Sequence, residues 1–177
     1  MMINRLFILP ILFSTILLPT LADAKPLNDS EVIDLLRNGF VVSTEADVAQ
    51  VKEQFGSPIQ TKSENILNPY TELKDEVTHF IYPGLEIVFY ENKNPQNSSK
   101  RIVQIIVSSK QYKLKYGLIV GMNLSEVEIM FKGLDRQKWQ ADGFDYYSYS
   151  LPNSVHDQIN VAVKNNIVQQ IIWSDWP

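Results

Sequence analysis

The chain has 177 residues and a formal charge of −4, from 16 Lys and Arg against 20 Asp and Glu. It contains no Cys and two His, which excludes disulfides, thiol nucleophiles and thiolate zinc sites, and leaves little for a metal centre or for His-based catalysis. The mild acidity argues against a nucleic-acid-binding protein, which normally carries a basic face. We therefore expect a globular protein without a metal or other cofactor and without a nucleic-acid partner.

The first 24 residues have the three parts of a secretory signal peptide. Arg5 precedes an apolar stretch from Leu6 to Leu21, and the small-x-small tripeptide at 22–24 follows it. The alternative is an N-terminal membrane anchor, but Pro10 and Pro19 interrupt the stretch, and a spanning helix needs about 20 mostly apolar residues. We expect cleavage after Ala24, and a periplasmic protein that keeps no stable membrane anchor afterwards.

The first half of the remaining chain begins with two predicted helices. The first spans Ser30–Arg37 and ends at Asn38-Gly39, with its inward positions at Val32, Leu35 and Leu36. In the second, Ser43 or Thr44 caps the helix, with Asp47 placed to help its first turn. Its apolar face follows helical spacing, and it stops at Gly56 and Pro58; the face consists of Val48, Val51 and Phe55.

Runs of β-branched and aromatic residues predict strands after these helices. Three are strong and one, at Ile59–Ile66, is weaker; the strong ones are Val77–Tyr82, Leu85–Glu91 and Arg101–Ser109. A turn at Pro83-Gly84 joins the first two of the strong strands. The pattern is typical of an antiparallel meander.

The second half has the same order of elements. Asn123 caps a predicted helix whose apolar face is Leu124, Val127 and Phe131, and Gly133 ends it. The predicted strands are Phe144–Leu151, Gln158–Lys164 and Ile167–Trp173, with a weaker one at Asp135–Ala141. Asn165-Asn166 forms the turn between the last two.

Two pairs of similar segments indicate an internal repeat. Residues 39–56 resemble residues 117–133, and residues 103–109 resemble residues 169–175 in the same order. The sequence therefore predicts an α+β fold of two tandem helix-then-antiparallel-meander repeats, 25–110 and 111–177. The helices are expected to pack on one face of the sheet.

The helical motif of the second repeat supports a family resemblance. Residues 121–127 read Gly-Met-Asn-Leu-Ser-Glu-Val and run to Gly133, and the first repeat keeps Val48 to Val51 and the Gln-Phe-Gly-Ser-Pro segment at 54–58. In these motifs and in its predicted architecture the chain resembles the β-lactamase inhibitor protein and the outer-membrane assembly lipoprotein BamE (SmpA). The resemblance implies that the sheet is a protein-recognition surface and not a catalytic one.

Catalytic and metal-binding patterns are weak. His79 lies near Asp75 and Glu76 and His156 lies beside Asp157, which are arrangements that a general base or a metal site could use. A His on a strand surface or in a loop is the more common interpretation. The serines have no nucleophile-elbow context, and the Asp spacing of a calcium loop is absent.

Aromatic residues crowd the second half, and strand alternation divides them between two faces. Phe144 and Tyr146 lie on one face of their strand, and Tyr147 and Tyr149 on the other. We expect the Tyr147 side to be the open face, although helices packed on that side would leave Tyr146 open instead. The predicted partner-binding residues on the open face are Tyr147, Tyr149, Trp139, Tyr90 and Glu86.

These observations favour a non-catalytic exported binding module that recognises a protein partner through the open face of its sheet. An enzyme inhibitor or an immunity-type protein would fit that description. The alternative is an accessory factor of cell-envelope assembly, at the outer membrane or the cell wall. An enzyme is a third and weaker hypothesis, because no catalytic constellation is recognisable.

Overall fold

The computed structural model describes residues 24–68, 71–96, 98–151 and 158–176. These residues form an α+β fold that contains three α-helices, a short 3₁₀ helix and one eight-stranded antiparallel sheet. The predicted signal peptide up to residue 23, and both His156 and Asp157, lie outside the described residues.

Local hydrogen bonds explain where the helices begin. Helix α1 spans Asp29–Asn38, and Asn28 caps it in a reciprocal capping box with Glu31. Helix α2 spans Val48–Phe55, and its cap is Asp47, which accepts a hydrogen bond from the Gln50 amide at 2.8 Å. The predicted cap at Ser43 or Thr44 is therefore wrong, because Asp47 occupies that position itself.

The third α-helix, α3, spans Leu124–Met130 and follows Asn123, whose amide donates to the Glu126 carboxylate at 2.8 Å. A 3₁₀ turn at Lys115–Gly117 precedes it. Within the described ranges, no helix is both long enough and apolar enough to span a bilayer.

The eight strands are close to the predicted ones. They are β1 Gln60–Leu67, β2 Lys74–Tyr82, β3 Leu85–Asn92, β4 Ser99–Val107, β5 Asp135–Ala141, β6 Phe144–Ser150, β7 Gln158–Lys164 and β8 Ile167–Ser174. Their order across the sheet is β1-β2-β3-β4-β8-β7-β6-β5, and each neighbouring pair is antiparallel. The last strand of each meander thus meets the other at the centre, and β1 and β5 lie at the two ends.

Tight turns fix the register of the hairpins. Gly84, at φ 71° in the β2–β3 turn, could not carry a side chain, since an added Cβ would lie 2.3 Å from the Cβ of Ser109. Asn165 and Asn166 both have positive φ, of 54° and 63°, in the two-residue turn between β7 and β8. Asparagine tolerates this conformation better than most residues, which explains its use here.

One continuous apolar cluster joins residues of the helices to alternate residues of the strands. Val51 and Val127 are fully buried in it, as are Ile87, Ile105 and Ile171. Phe131 is also buried, whereas Phe55 is only partly buried and packs against Tyr82 with ring centroids 5.6 Å apart. We call the side of the sheet that contributes to this cluster the core face, and the opposite side the outer face.

Candidate functional site

The strand register assigns each aromatic residue of the second half to one face. Trp139 pairs with Tyr146, which pairs with Ala162, and Ala162 pairs with Gln170. Directly opposite residues lie on the same face of a sheet. Trp139 and Tyr146 therefore share the outer face, while Tyr147, which pairs with Val161, lies on the core face.

The prediction that Tyr147 and Tyr149 lie on the open face is wrong. Tyr147 and Tyr149 are only 7% and 3% exposed, and both belong to the apolar cluster. Tyr149 packs on Phe131 with ring centroids 4.9 Å apart, and burial raises the pKa of Tyr149 to about 12. Packing within the apolar cluster therefore accounts for the burial of these two residues.

Cations at the margin of the core face complete the burial of Tyr147. The Arg136 guanidinium and the Lys138 ammonium lie 5.5 and 5.1 Å from the centre of its ring. These distances are typical of cation–π contacts. Both cations also form ion pairs, Arg136 with Glu128 and Lys138 with Asp145.

The outer face instead carries a group of aromatic rings, which we call the aromatic patch: the exposed Trp139 and the half-buried Phe144 and Tyr146. The rings of Trp139 and Tyr146 stack at 5.4 Å with an angle of 8° between their planes, and Phe144 meets Tyr146 edge-on at 6.3 Å. Trp139 remains 43% exposed. The three rings therefore contact one another, and Trp139 is still accessible from solution.

A cavity of about 460 Å³ adjoins the patch at the tips of the β5–β6 and β7–β8 hairpins. Phe144 and Lys164 line it, and the Lys164 ammonium lies 5.8 Å from the centre of the Phe144 ring. Asp145, which by its strand position belongs to the core face, also lines the cavity, and it accepts hydrogen bonds from Gln140 at 2.5 Å and Lys138 at 3.2 Å. These donors lower the pKa of Asp145, Gln140 having the larger effect. Lys164 thus gives the aromatic patch a charged neighbour at the hairpin tips.

The centre of the outer face is a mixture of half-buried apolar and polar side chains. Ile81, Glu86, Ile106 and Ile172 form one row across four strands. A small cavity of about 170 Å³ lies beside this row, lined by Glu86, Ile106 and Gln170 among others. Glu86 is thus on the outer face, as predicted.

The side chain of His79 contacts that of Glu86 diagonally across the β2–β3 hairpin, with the His79 Nδ1 2.7 Å from the Glu86 Oε1. The sequence suggested Asp75 or Glu76 as the neighbours of His79, but the nearest carboxylate comes from the adjacent strand. Both side chains are about a quarter to a third exposed, at 26% and 30%. Within the described ranges, no group of three metal-ligating side chains converges here or elsewhere.

The prediction that Tyr90 is an exposed contact residue is wrong. Tyr90 is on the outer face but 7% exposed, in a second, smaller apolar cluster with Val77, Val88 and Val103. Its hydroxyl donates a short hydrogen bond to the buried carboxylate of Asp75. The outer face of the first half therefore does not expose Tyr90 to solution.

Among the described residues, the Asp75 carboxylate has three donors. Besides the Tyr90 hydroxyl, the Asn68 side chain donates at 2.7 Å and the Lys93 amide at 2.9 Å. These hydrogen bonds, with that from Tyr90 the strongest, hold the pKa of Asp75 below its usual value despite its burial. These hydrogen bonds give the Asp75 carboxylate a structural role.

A further cavity, of about 400 Å³, lies between the end of α1 and the sheet. It is lined by Arg37, by the Arg101–Asp175 ion pair (2.6 Å) and by Trp173. The buried indole N–H of Trp173 has no hydrogen-bond partner among the described residues. Its lining has no catalytic grouping and shares no residue with the aromatic patch.

Comparisons with known proteins give a loose structural likeness and no family. No protein-family model and no curated protein matches the chain. The structure is similar to that of the uncharacterized protein YfeY from Escherichia coli, with 12% identity, a TM-score of 0.45, and coverage of 78% of this chain and 97% of that one. It is also similar to an extracellular protein containing an SCP domain from Bacillus anthracis, with 10% identity, a TM-score of 0.46, and coverage of 74% of this chain and 43% of that one. Neither the β-lactamase inhibitor protein nor BamE is among these similar proteins.

Proposed function

We propose that this chain is a non-catalytic, exported binding module that recognises a protein partner through the outer face of its sheet. The observation that carries the proposal is the aromatic patch, where Trp139 stacks on Tyr146 and stays 43% exposed. Rigid aromatic rings supply much of the binding energy at protein interfaces, because they bury a large area and lose little conformational entropy. Glu86, in the central row of the same face, is the second contact that we retain from the sequence.

The proposed architecture is two tandem repeats, each a helical segment followed by a four-stranded meander, with the helices covering the core face. The mirror order of the strands about β4 and β8 supports it. So does the matching position of capped helices α2 and α3, each directly before its meander. This is the arrangement that the resemblance to the β-lactamase inhibitor protein and BamE implies.

The proposed location is the periplasm, after cleavage between Ala24 and Lys25. The folded contacts support that position: Leu27 is buried, and its amide donates to the Met130 carbonyl at 2.8 Å. A chain that begins at Lys25 keeps this contact between its start and α3. The experiments below use that mature form.

Site-specific photo-crosslinking in the periplasm of producing cells tests the proposal. A crosslinking amino acid replaces Trp139 in one variant and Ile129 in the control, a residue of α3 that is 44% exposed and therefore equally accessible. We expect a protein adduct from position 139 and none from position 129. Adducts from 129 alone, or equal yields from both, would place the binding surface elsewhere.

The partner identified in this way is then titrated with purified variants. We expect Trp139→Ala to weaken binding at least about tenfold, since truncation of an interface hot spot costs about 2 kcal/mol or more. Its melting temperature should change little, because the ring is half exposed. An unchanged affinity would contradict the role of the patch. A hydrolase or a toxin as partner would indicate an inhibitor, and an envelope component would indicate the assembly alternative.

A further inference from the structure

Strand β1 forms a free edge of the sheet. It pairs with β2 on one side, and within the described residues no strand pairs with its other side. Its side chains are exposed except that of Ile66, which is half-buried. The unpaired amide and carbonyl groups of such an edge can accept a further strand.

The two ends of this edge carry the most exposed large apolar residues of the described chain. Ile59 is 69% and Leu67 is 67% exposed, whereas the next, Ile129, is 44% exposed. Ile59 immediately precedes β1 and is also bonded to β2, since its amide donates to the Ile81 carbonyl at 2.8 Å. Apolar side chains at both ends of an open edge are a known hazard for association, and proteins usually avoid them.

The middle of the edge carries one charge of each sign. Lys62 and Glu64 are exposed, and neither forms an ion pair with any described residue. They lie two residues apart and therefore on the same face of the sheet. Ser63 lies between them on the edge.

We propose that β1 pairs antiparallel with β1 of a second copy of this chain, with Ser63 at the two-fold axis. In this register Lys62 lies opposite Glu64 of the second copy, and Ile59 lies opposite its Leu67. Symmetry repeats each contact, which gives two ion pairs and two apolar pairs. Cross-strand pairs of opposite charge and apolar pairs both stabilise a sheet.

Symmetry and charge together favour this register over its neighbours. A continuous antiparallel sheet needs a two-fold axis perpendicular to it, so directly opposite residues must lie on the same face, and the axis must pass through a residue. An axis at Lys62 would put Lys62 opposite its own copy, and an axis at Glu64 would put Glu64 opposite its own copy. Only the Ser63 register pairs the charges favourably and brings the exposed apolar residues together.

The other free edge, β5, does not have this complementarity. An axis at its middle residue, Lys138, would put two ammonium groups opposite each other, and an axis at Gln137 would put Arg136 opposite Lys138. Both cations already pair within the chain, with Glu128 and Asp145. A β1 dimer leaves β5 and the aromatic patch free, and this inference stands whether or not the proposed function is correct.

Sedimentation velocity over a range of concentrations tests the dimer, with the mature chain as the sample. We expect a reversible dimer whose dissociation constant rises at least about tenfold in both Lys62→Glu and Glu64→Lys, because each change creates two like-charge pairs. An equimolar mixture of the two variants should form heterodimers, and the double exchange Lys62→Glu with Glu64→Lys should restore the homodimer. Lys132→Glu, an exposed charge reversal outside the edge, is the control.

Circular dichroism establishes that each variant is folded, which the exposure of both residues leads us to expect. A wild-type chain that stays monomeric at every concentration would overturn the proposal. So would a dimer that neither single charge reversal weakens, or single variants that fail to associate when mixed, because the register would then be wrong.

Discussion

Asp75 shows how a buried carboxylate is accommodated in this sheet. It has no exposed surface, and the donors on it are the Tyr90 hydroxyl, the Lys93 amide and the Asn68 side chain. Unpaired buried charges are strongly unfavourable, whereas a carboxylate with several donors is stabilised in its ionised form. Tyr90 of β3 is thereby bound to Asp75 of β2, which explains why an aromatic residue on the outer face is not free for a partner.

The lowered pKa of Asp75 predicts a pH dependence of stability. Its folded pKa lies below its ordinary value of about 3.9, so its stabilising contribution is present above that value and is lost as the pH falls towards the folded pKa. We expect the difference in unfolding free energy between the wild type and Asp75→Asn to be constant above about pH 5 and to shrink below about pH 4.

Urea denaturation at a series of pH values measures this difference. Other carboxylates also titrate in this range, and the comparison with Asp75→Asn removes their common contribution. Tyr90→Phe is a matched control, because it removes the strongest donor and should reduce the pH dependence while keeping the ring. Parallel stability curves for wild type and Asp75→Asn would show that Asp75 titrates alike in the folded and unfolded chain.

Neighbouring tyrosines of β6 have opposite roles because a strand alternates its faces. Tyr146 stacks on Trp139 on the outer face, whereas Tyr147 lies under two cations on the core face. Truncation of Tyr147 or Tyr149 would remove buried contacts and lower stability, so neither is a useful variant for binding. Substitution of Trp139 separates an effect on binding from an effect on stability better, because Trp139 is the most exposed ring of the patch.

At the scale of the elements, the sequence predicts the strands well. All eight correspond to predicted segments, and β5 and β7 have the predicted bounds; the largest shift at a strand start is in β2, which begins at Lys74 instead of Val77. β-branched and aromatic runs, bounded by Pro-Gly and Asn-Asn turns, are local signals that a single sequence contains. The inward positions of α1, Val32, Leu35 and Leu36, are likewise confirmed as buried.

The assignment of the sheet faces is where the sequence prediction failed. A local turn contradicts the predicted faces: the two-residue turn at Asp142-Gly143, with φ of 52° and 78°, sets Trp139 opposite Tyr146. Trp139 therefore could not share a face with Tyr147. Which face of the sheet joins the apolar cluster, and the burial of Tyr90 among Val77, Val88 and Val103, depend on tertiary packing that no local pattern contains.

The capping box of α2 leads to a prediction at this scale. The Asp47 carboxylate accepts from the Gln50 amide at 2.8 Å, and the Gln50 side chain accepts from the Asp47 amide at 2.9 Å. We expect Asp47→Ala to lower the free energy of unfolding by about 1 kcal/mol, because amide groups of the first turn lose their acceptor. Chemical denaturation measures this loss.

Asp47→Asn is the matched control, since asparagine caps helices about as well as aspartate and should keep most of the stability. Asp29→Ala is a second comparison for the free energy of unfolding, because Asp29 is inside the first turn of α1 and is not its cap. If Asp47→Ala and Asp47→Asn were equally stable, the cap would contribute nothing measurable to the fold.

At the scale of the whole molecule, the two meanders are joined by a short pairing of β4 with β8, which we call the junction. Strands β4 and β8 pair over four residues each, from Gln104–Ser174 to Val107–Ile171. Ile105 and Ile171 are fully buried at this junction, and the apolar cluster continues through it into both halves. Further contacts cross between the halves, including the Lys115 amide on the Gly39 carbonyl at 3.0 Å.

This continuity predicts that the two halves unfold together. Hydrogen exchange followed by mass spectrometry should give peptides from β3 and β7 the same free energy of opening, since a shared core couples them. Ile105→Ala should lower that free energy by about 2–5 kcal/mol in both peptides, because it leaves a cavity at the junction. Ile33→Ala, at a residue of α1 that is 38% exposed, is the control and should change it little. Different opening free energies for β3 and β7, or an effect of Ile105→Ala confined to the β3 peptide, would mean that the halves are independent folding units that share only an edge.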